Sequence, residues 1–335
     1  MHMSMGRVQP PSYAAGVRRR FEDLPTPVVE WVAGELGGPV TAVRNAVGGF
    51  SPGVAAVVSS ASGQALFVKA VGAATNADAV RFYRREAEAA AQLPKLDGIV
   101  LPTNGTELEV DGELYVVLVF PALVGAPPQH PWRHAELDLV LDAQLRLSQQ
   151  LTPSPWPPGD RDRRLSDFFS WWPRILQDAE DRWSRHPWVR FRAADLVAAE
   201  DQTRAELAGN TLSHTDLRAD NLVVAGDRVS FVDWAHAQNA APWVDATLLM
   251  ADVVASGADL ADGGEIDVVE TLRQHPALAA GSFEQSWRLI LAAAGALHGF
   301  STQPSPPGLP TLRAWQAATS DAWLHWCQRA APPSW

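Results

Sequence analysis

The stretch that decides the fold is His214–Asn221, with the sequence HTDLRADN, and it is followed by Asp233-Trp234. Two short apolar runs separate these segments and flank the turn Gly226-Asp227. A Gly-Asp pair between apolar runs is typical of a β-hairpin, which would carry Asp233 back toward the first segment. The pattern therefore predicts that two carboxylates and one amide lie close together in space.

These oxygen-bearing side chains suit the transfer of a phosphoryl group. The reaction needs a carboxylate that orients or deprotonates the attacking hydroxyl. It also needs a neutral oxygen ligand and a second carboxylate that hold Mg²⁺ on the nucleotide phosphates. Asp216 would supply the first group, and Asn221 and Asp233 would supply the metal ligands.

The same residues resemble a known family. H-x-D-x-x-x-x-N followed by Asp-Trp resembles the catalytic loop and metal-binding aspartate of kinases. The version with His-Thr-Asp is similar to the aminoglycoside phosphotransferase family of small-molecule kinases, in its actinobacterial antibiotic-kinase-like branch. The resemblance covers roughly residues 27–330. It implies an α+β, protein-kinase-like fold of two lobes, ATP or GTP as the phosphate donor, and Mg²⁺.

Hydrophobic periodicity also predicts two lobes. We expect a flexible N-terminus over 1–25, a nucleotide-binding lobe over 26–120, a hinge over 121–125 and a mostly helical catalytic and substrate lobe over 126–335. The first lobe would hold a five-stranded antiparallel sheet and one main helix. Its predicted strands are Val40–Val47, Val54–Ser60, Ala65–Val71, Glu107–Val110 and Glu113–Phe120, and its helices are Thr26–Leu36 and Asn76–Leu93. In the second lobe the predicted helices are Ala135–Leu151, Arg192–Leu207, Val244–Ala255, Phe283–Phe300 and Leu312–Ala330.

Lys69 is one of only two lysines in a chain with 27 basic residues. A lone lysine in a strand is usually a solvated edge charge, but this one follows a glycine-rich turn, in a strand like that of the phosphate-binding lysine of kinases. Its expected partner is Glu86, which shares the apolar face of the next helix, whereas Glu88 is rotated about 200° toward solvent. An ion pair between Lys69 and Glu86 would aim the lysine at the phosphates.

Two further segments are predicted to bind the nucleotide through their backbone. The glycine-rich turn between the first two strands departs from the G-x-G-x-x-G pattern, so an ordinary hairpin turn is an equally open interpretation. The end of the fifth strand resembles the adenine-binding hinge of the family, although a buried strand would have the same sequence. The candidate residues are Gly49, Phe50, Ser51 and Gly53 in the turn and Val119, Phe120 and Ala122 at the hinge.

Three residues around the catalytic loop have auxiliary interpretations. Arg218 would stabilise charge during transfer or form a salt bridge with a nearby acid such as Asp220. His214 would orient the loop by hydrogen bonding. Asp245 resembles the family's structural aspartate that anchors the loop, and it follows Asp233 too closely for the activation segment of a protein kinase. A protein substrate is therefore disfavoured.

Composition excludes several other classes of protein. The net charge of −11 argues against a nucleic-acid binder that works by bulk electrostatics. The single cysteine, Cys327, excludes an intrachain disulfide framework and a cysteine-based zinc site. No run of 18 apolar residues predicts a membrane span, and no signal peptide is recognised. We expect a cytoplasmic monomer or homodimer.

The acceptor site is the least defined feature of the sequence. Residues after 125 hold 17 basic and 26 acidic side chains, which would attract a cationic antibiotic or simply form a solvated surface. Thirteen of the 14 tryptophans also lie there, where they would wall a flat acceptor pocket or pack helices. The candidate substrate residues are Asp216, Trp234, Asp167, Trp171, Trp172, His298, Gln316, Asp321 and Trp326.

The leading hypothesis is an ATP-dependent phosphotransferase that modifies a hydroxyl of a small molecule, foremost an antibiotic. A metabolite kinase acting on a choline-like, homoserine-like or sugar alcohol is the alternative within the same class. An inactive nucleotide-binding module is a third reading. It is disfavoured because Lys69, Glu86, Asp216, Asn221 and Asp233 are all present.

Overall fold

The N-terminal part of the chain forms a twisted antiparallel sheet with the order β1-β2-β3-β5-β4. A computed structural model describes residues 18–46, 49, 51–177, 183, 185–333 and 335. The five strands lie within a few residues of the predicted positions: β1 (Val40–Asn45), β2 (Val54–Ser60), β3 (Ala65–Gly72), β4 (Asn104–Val110) and β5 (Glu113–Pro121). The α+β, protein-kinase-like fold class is confirmed.

Strand β5 is apolar from Leu114 to Pro121 because both faces of the sheet are covered there. Helix α1 (Thr26–Glu35) covers one face, and Val117 and Val119 pack there in a buried cluster. Helix α2 (Ala77–Gln92) covers the other face, where Leu118 and Phe120 pack. Alternation along the strand therefore sends successive side chains into two separate cores.

The described structure includes residues that precede the predicted lobe boundary. Residues 18–25 were expected to belong to a flexible terminus, but Phe21–Asp23 forms a 3-10 turn and Phe21 and Leu24 are buried in the sheet core. The backbone N–H of Phe21 donates to the side chain of Asn45 at 2.8 Å. Burial of two large apolar side chains and this hydrogen bond hold the segment on the sheet.

The remainder of the chain is mostly helical. Long helix α10 lies at its centre and packs on several of the others, most extensively on α11. The helices are α3 (His134–Gln150), α4 (Arg164–Phe168), α5 (Trp172–Ile175), α6 (Trp188–Phe191), α7 (Ala193–Glu206), α8 (Val244–Ala255), α9 (Val268–Gln274), α10 (Phe283–Ser301) and α11 (Leu312–Arg329). The five predicted helices correspond to α3, α7, α8, α10 and α11, and the short helices were not predicted.

Tryptophan packing fills this helical core. Trp132, Trp172, Trp287 and Trp326 are each 1% exposed or less. Gly295 of α10 makes room for Trp172, because a Cβ there would lie 2.7 Å from the indole ring. For these four residues the structure supports the helix-packing interpretation.

Two small antiparallel sheets frame the catalytic stretch. The predicted hairpin is present as β7 (Leu222–Ala225) and β8 (Arg228–Phe231). A second pair consists of β6 (Thr211–Ser213) and β9 (Gln238–Ala240). Its hydrogen bonds join the two ends of the segment that lies between these strands. Strands of three residues leave too short a pattern to be predicted, yet this pair brings the start and the end of the catalytic segment together.

The two lobes also touch outside the hinge. The backbone N–H of Val100 donates to the carbonyl of Phe231 of β8 at 3.1 Å. On the opposite side, the side chain of Asn76 donates to the carbonyl of Pro307 at 3.1 Å. These contacts enclose a cleft between the lobes. Among the residues that the structure describes, no helix is both long and apolar enough to cross a membrane.

Candidate active site

The catalytic loop is held by one buried carboxylate. Asp245, in the first turn of α8, accepts hydrogen bonds from the backbone N–H groups of His214 and Thr215, both at 2.8 Å. Thr215 has a φ of +59°, a left-handed conformation that few residues other than glycine adopt. Burial raises the pKa of Asp245, while His214 and the two donors oppose that rise. The aspartate therefore stabilises a strained turn directly before Asp216.

His214 orients the loop from the other side. Its Nε2 lies 2.8 Å from the carbonyl of Val232, and its Nδ1 accepts from the backbone N–H of Asp216 at 3.3 Å. The ring also packs edge-on against Trp234, with centroids 4.9 Å apart. A ring whose two nitrogens are both engaged suits positioning of the loop rather than proton transfer.

Asp216 and Asn221 contact each other directly. The amide Nδ2 of Asn221 donates to the backbone carbonyl of Asp216 at 2.8 Å and to its carboxylate at 3.0 Å. Because the nitrogen of the amide serves Asp216, the carbonyl oxygen Oδ1 is the end suited to a metal ion. The Asp216 carboxylate is 36% exposed, so an acceptor hydroxyl can reach it.

Lys69 lies between two carboxylates contributed by different lobes. Its Nζ is 2.9 and 2.8 Å from the two oxygens of Glu86 and 3.4 Å from Oδ1 of Asp233. Glu88, the alternative partner, is exposed on the far side of α2. Asp233 itself has a φ of +66°, at the bend between β8 and the turn Trp234–His236. The contact between Lys69 and Glu86 thus follows the sequence prediction.

Burial and charge shift the pKa values of this trio in different directions. Burial lowers the pKa of Lys69, but the carboxylates of Asp233 and Glu86 more than reverse this and raise it overall. Burial raises the pKa of Glu86 to about 7 against the opposing charge of Lys69. The pKa of Asp233 is lowered, since Lys69 and two histidines outweigh its burial. Lys69 therefore stays charged at neutral pH.

Arg218 contacts two acidic side chains, as its salt-bridge interpretation predicts, while its role during transfer stays a prediction. Its Nη2 donates to Oδ2 of Asp220 at 3.0 Å, and its Nε lies 3.5 Å from Oδ1 of Asp216. The guanidinium also lies over the ring of Trp315, 5.5 Å from the centroid. Burial raises the pKa of Asp220 to about 6, although Arg218 lowers it. Arg218 is thus a salt-bridge partner of Asp220 that also borders the Asp216 carboxylate.

A cavity of about 930 Å³ between the lobes collects most of the predicted nucleotide and catalytic residues. Its lining includes Gly49, Ser51, Lys69, Glu86, Phe120, Asp216, Arg218, Asn221 and Asp233. Val119 is buried in the sheet core instead, and its carbonyl accepts from the backbone N–H of Thr103 at 2.8 Å. Gly53 packs behind the cavity wall, where a Cβ would lie 2.7 Å from the carbonyl of Ala70. Phe50 and Val47 lie outside the described residues.

The donor set in this cavity fits a hard divalent cation. Asn221 and Asp233 offer an amide oxygen and a carboxylate, the ligand types that Mg²⁺ takes alongside phosphate oxygens and water. Within the described ranges, no cluster of three or more His, Cys, Asp or Glu side chains is arranged to hold a metal by itself. The arrangement therefore suits a cation that arrives with nucleotide phosphates.

The predicted acceptor residues lie elsewhere, apart from Asp216. Trp172, Trp234 and Trp326 are buried in the helical core. The other five have partners or positions away from the cavity: Asp321 pairs with His186, His298 stacks on Trp183, Trp171 packs on Phe300, Gln316 accepts from Arg313, and Asp167 is exposed. None of these eight described side chains lines the cavity. Helix packing, rather than substrate contact, explains the buried tryptophans.

The cavity also has an apolar wall that was not predicted from the sequence. Pro306 and Leu309 come from the segment before α11, which was predicted as a loop, Leu312 is the first residue of α11, and Phe82 lies on α2. His236, which had no assigned role, also lines the cavity and lies 5.0 Å from the ring of Phe82. Pro306 and Leu309 of the proline-rich segment gave a weak signal, since their spacing matches no regular element.

Known proteins share this architecture. A thermostable mutant of aminoglycoside phosphotransferase APH(4)-Ia, solved with ADP and hygromycin B, matches with a TM-score of 0.57 and 14% identity, covering 91% of this chain and 99% of that one. A protein described as an aminoglycoside phosphotransferase of Ralstonia eutropha matches with a TM-score of 0.54 and 15% identity, covering 91% and 98%. At these identities the likeness concerns the fold. No curated protein matches the chain.

Membership of a family rests on the sequence itself. The model of the phosphotransferase enzyme family, APH, matches residues 25–274, which include the whole sheet, the hinge and the catalytic loop. The match covers well over half of the 335 residues. The chain therefore belongs to the phosphotransferase enzyme family and is a small-molecule phosphotransferase with a hydroxyl group as acceptor.

Proposed function

We propose that this protein transfers the γ-phosphate of ATP or GTP, with Mg²⁺, to a hydroxyl group of an antibiotic. The observation that carries the proposal is the meeting of three groups in one cavity: the Lys69–Glu86 pair, the Asp216–Asn221 pair, and Asp233 between them. Each group serves a separate requirement of phosphoryl transfer. Their convergence from both lobes is the arrangement that the reaction needs.

The nucleotide side of the cavity would bind the donor. Lys69 would contact the phosphates, and Glu86 would keep its ammonium aimed at them. Asn221 and Asp233 would hold Mg²⁺, which neutralises charge on the phosphates when it is bound. Phe120 and Pro121 line the hinge end, where the adenine or guanine ring would lie. APH(4)-Ia, which shares this fold, was solved with ADP bound.

Asp216 would act on the acceptor. Its carboxylate would accept a hydrogen bond from the acceptor hydroxyl and take up the proton as the new P–O bond forms, while the bond between the γ-phosphorus and the β,γ-bridging oxygen breaks and ADP or GDP leaves. The amide of Asn221 and the guanidinium of Arg218 both approach this carboxylate, so they hold it in one orientation. His214 and Asp245 fix the backbone below it, which preserves this geometry.

The chemistry of the acceptor end favours a hydroxylated ligand with an apolar portion. Asp216 and Asp220 present negative charge there, while Leu309 and Leu312 present an apolar wall. An antibiotic that combines cationic and apolar groups would satisfy both surfaces. The hygromycin B bound by APH(4)-Ia supports the choice of an antibiotic over a metabolite.

A panel of hydroxylated antibiotics and metabolites, each incubated with Mg²⁺-ATP and analysed by mass spectrometry, tests this proposal. We expect the mass of one phosphate to be added to an antibiotic, and no addition with the Asp216→Asn variant. Phosphorylation of a metabolite alone would overturn the antibiotic assignment. A folded wild-type protein that binds neither ATP nor GTP in a calorimeter would overturn the whole function.

A further inference from the structure

Arg18 enters the nucleotide cavity from a segment that precedes the family match. The backbone N–H of its neighbour Arg19 donates to the carbonyl of Pro52 at 3.3 Å, so the chain runs along the glycine-rich turn. The Arg18 side chain lies against Gly49, where an added Cβ would overlap the guanidinium. Gly49 has a φ of +84° and brings its backbone close to this side chain. The guanidinium therefore lies under the turn and lines the cavity.

Three consecutive arginines differ sharply in their surroundings. Arg19 and Arg20 are exposed, and Arg20 pairs with Glu22 at 3.3 Å. Arg18 is partly buried, which lowers its pKa, while Tyr83, Asp233 and Asp220 attract its charge. A guanidinium remains charged under these conditions. Only the first of the three arginines thus brings its positive charge to the metal-binding end of the cavity.

The cavity needs such a charge because its lining is rich in carboxylates. Among the described residues, its lining includes five carboxylates, which are Asp78, Glu86, Asp216, Asp220 and Asp233. Lys69 is already in contact with two of them and Arg218 with two, and Arg44 of β1 also lines the cavity. A nucleoside triphosphate would add further negative charge to this group. A guanidinium is well suited to it because its planar set of donors binds phosphate oxygens in pairs.

We propose that Arg18 is a second cationic contact for the phosphates of the donor nucleotide, delivered by the N-terminal segment across the glycine-rich turn. This inference rests on the proposed nucleotide-dependent function. In this proposal, the glycine-rich turn and Lys69 contact the phosphates from the sheet of the N-terminal lobe. Arg18 contacts the same phosphates from the segment that precedes the sheet. The segment before the sheet then belongs to the binding site rather than to a dispensable terminus.

Calorimetric titration of the full chain with Mg²⁺-ATP and with adenosine tests this role. Loss of a charge-assisted contact predicts that Arg18→Ala weakens ATP binding by about 10-fold or more, whereas adenosine affinity stays within about twofold. Arg18→Lys should restore part of the loss, because the charge remains. The matched control is Arg20→Ala, which removes an exposed arginine two residues away and should leave both affinities unchanged.

Each alternative result has a distinct meaning. Equal ATP affinity in wild type and Arg18→Ala would overturn the contact while the proposed function stands. Tighter ATP binding by the variant would overturn it as well, and would show that the side chain obstructs the site. Equal losses for ATP and adenosine would indicate damage to the lobe and contradict a phosphate contact. A folded wild-type protein without ATP affinity would overturn both proposals.

Discussion

The two ends of the interlobe cavity are built in different ways. At the nucleotide end, Lys69 and Glu86 are placed by the periodicity of one strand and one helix, and the two side chains meet across neighbouring elements. At the proposed acceptor end, Leu309 lies in the irregular segment before α11 and Leu312 is the first residue of α11, and both reach the cavity through the packing of α11 on α10. Local pattern governs the first end, and tertiary packing governs the second. The predictions below test this contrast.

The largest effect is expected at the point where the two ends meet. Asp216→Asn removes the proposed base but keeps the size of the side chain and its contact region with Asn221. We expect kcat to fall by ~10²–10⁴, with ATP affinity nearly unchanged. Steady-state kinetics and calorimetry measure the two quantities. The exposed Asp167→Asn variant is the control, and a comparable loss there would place the acceptor in a different part of the helical lobe.

Glu86→Gln tests whether the nucleotide end depends on its buried ion pair. Glu86 is 1% exposed, and removal of one member of such a pair typically costs ~3–5 kcal/mol in the free energy of unfolding. ATP affinity should fall as well, because Lys69 would turn toward Asp233. Urea denaturation and ATP titration provide the measurements. Glu88→Gln, exposed on the same helix, should change the stability by less than ~0.5 kcal/mol.

Trp172→Ala and Leu312→Ala separate packing from acceptor contact. Trp172 is fully buried beside Gly295, so its truncation should cost ~3–5 kcal/mol of stability. Leu312 lines the cavity and is partly exposed, so its truncation should raise the KM for the acceptor several-fold at a smaller cost in stability. Thermal unfolding and acceptor kinetics compare the two. If Trp172→Phe, which keeps most of the packing, raised the acceptor KM, our assignment of the acceptor wall would be wrong.

The smallest effect concerns the pH dependence of stability. Asp252 is buried, but His130, Trp132 and the backbone N–H of Ala219 donate to it and lower its pKa. A depressed pKa adds stability above the ordinary value of 3.8, and that stability is lost as the pH falls through the lower folded value. Asp252→Asn should therefore be less stable at pH 7 and lose less on acidification. Urea denaturation of both proteins from pH 7 to pH 3 measures this. If the two free energies of unfolding fell by the same amount over that range, the prediction would be wrong.

Regular elements explain why much of the nucleotide end was predictable. Lys69 lies opposite Ala55 and Leu118 in the sheet, and alternation places it on the face that α2 covers. Glu86 shares a helix face with Tyr83 and Ala79, both buried. The spacing of the motifs and the side-chain periods of strands (2 residues) and helices (3.6 residues) are enough to predict these two positions. The backbone contacts predicted at Val119 do not follow from such a pattern, because the strand pairing there depends on β4.

The acceptor residues could not be chosen from the sequence because burial decides them. Aromatic side chains are common in binding pockets, which is why tryptophans were predicted to contact the acceptor. The helices bury three of them in the core: Trp172, Trp234 and Trp326. Arg18 shows the opposite case, since it lies in a terminus expected to be flexible and yet reaches the cavity. In both cases the neighbours that settle the role are distant in sequence.

Short motifs and local periodicity were sufficient to predict the family, the two-lobed fold and the spacing of Asp216, Asn221 and Asp233. Which polar groups face one another across the cleft, and which aromatic rings are buried, became clear from the folded structure alone. Those outcomes depend on long-range packing, such as the contact between Asn76 and Pro307, which closes the cleft between residues 231 positions apart. Such contacts leave no periodic trace in the chain.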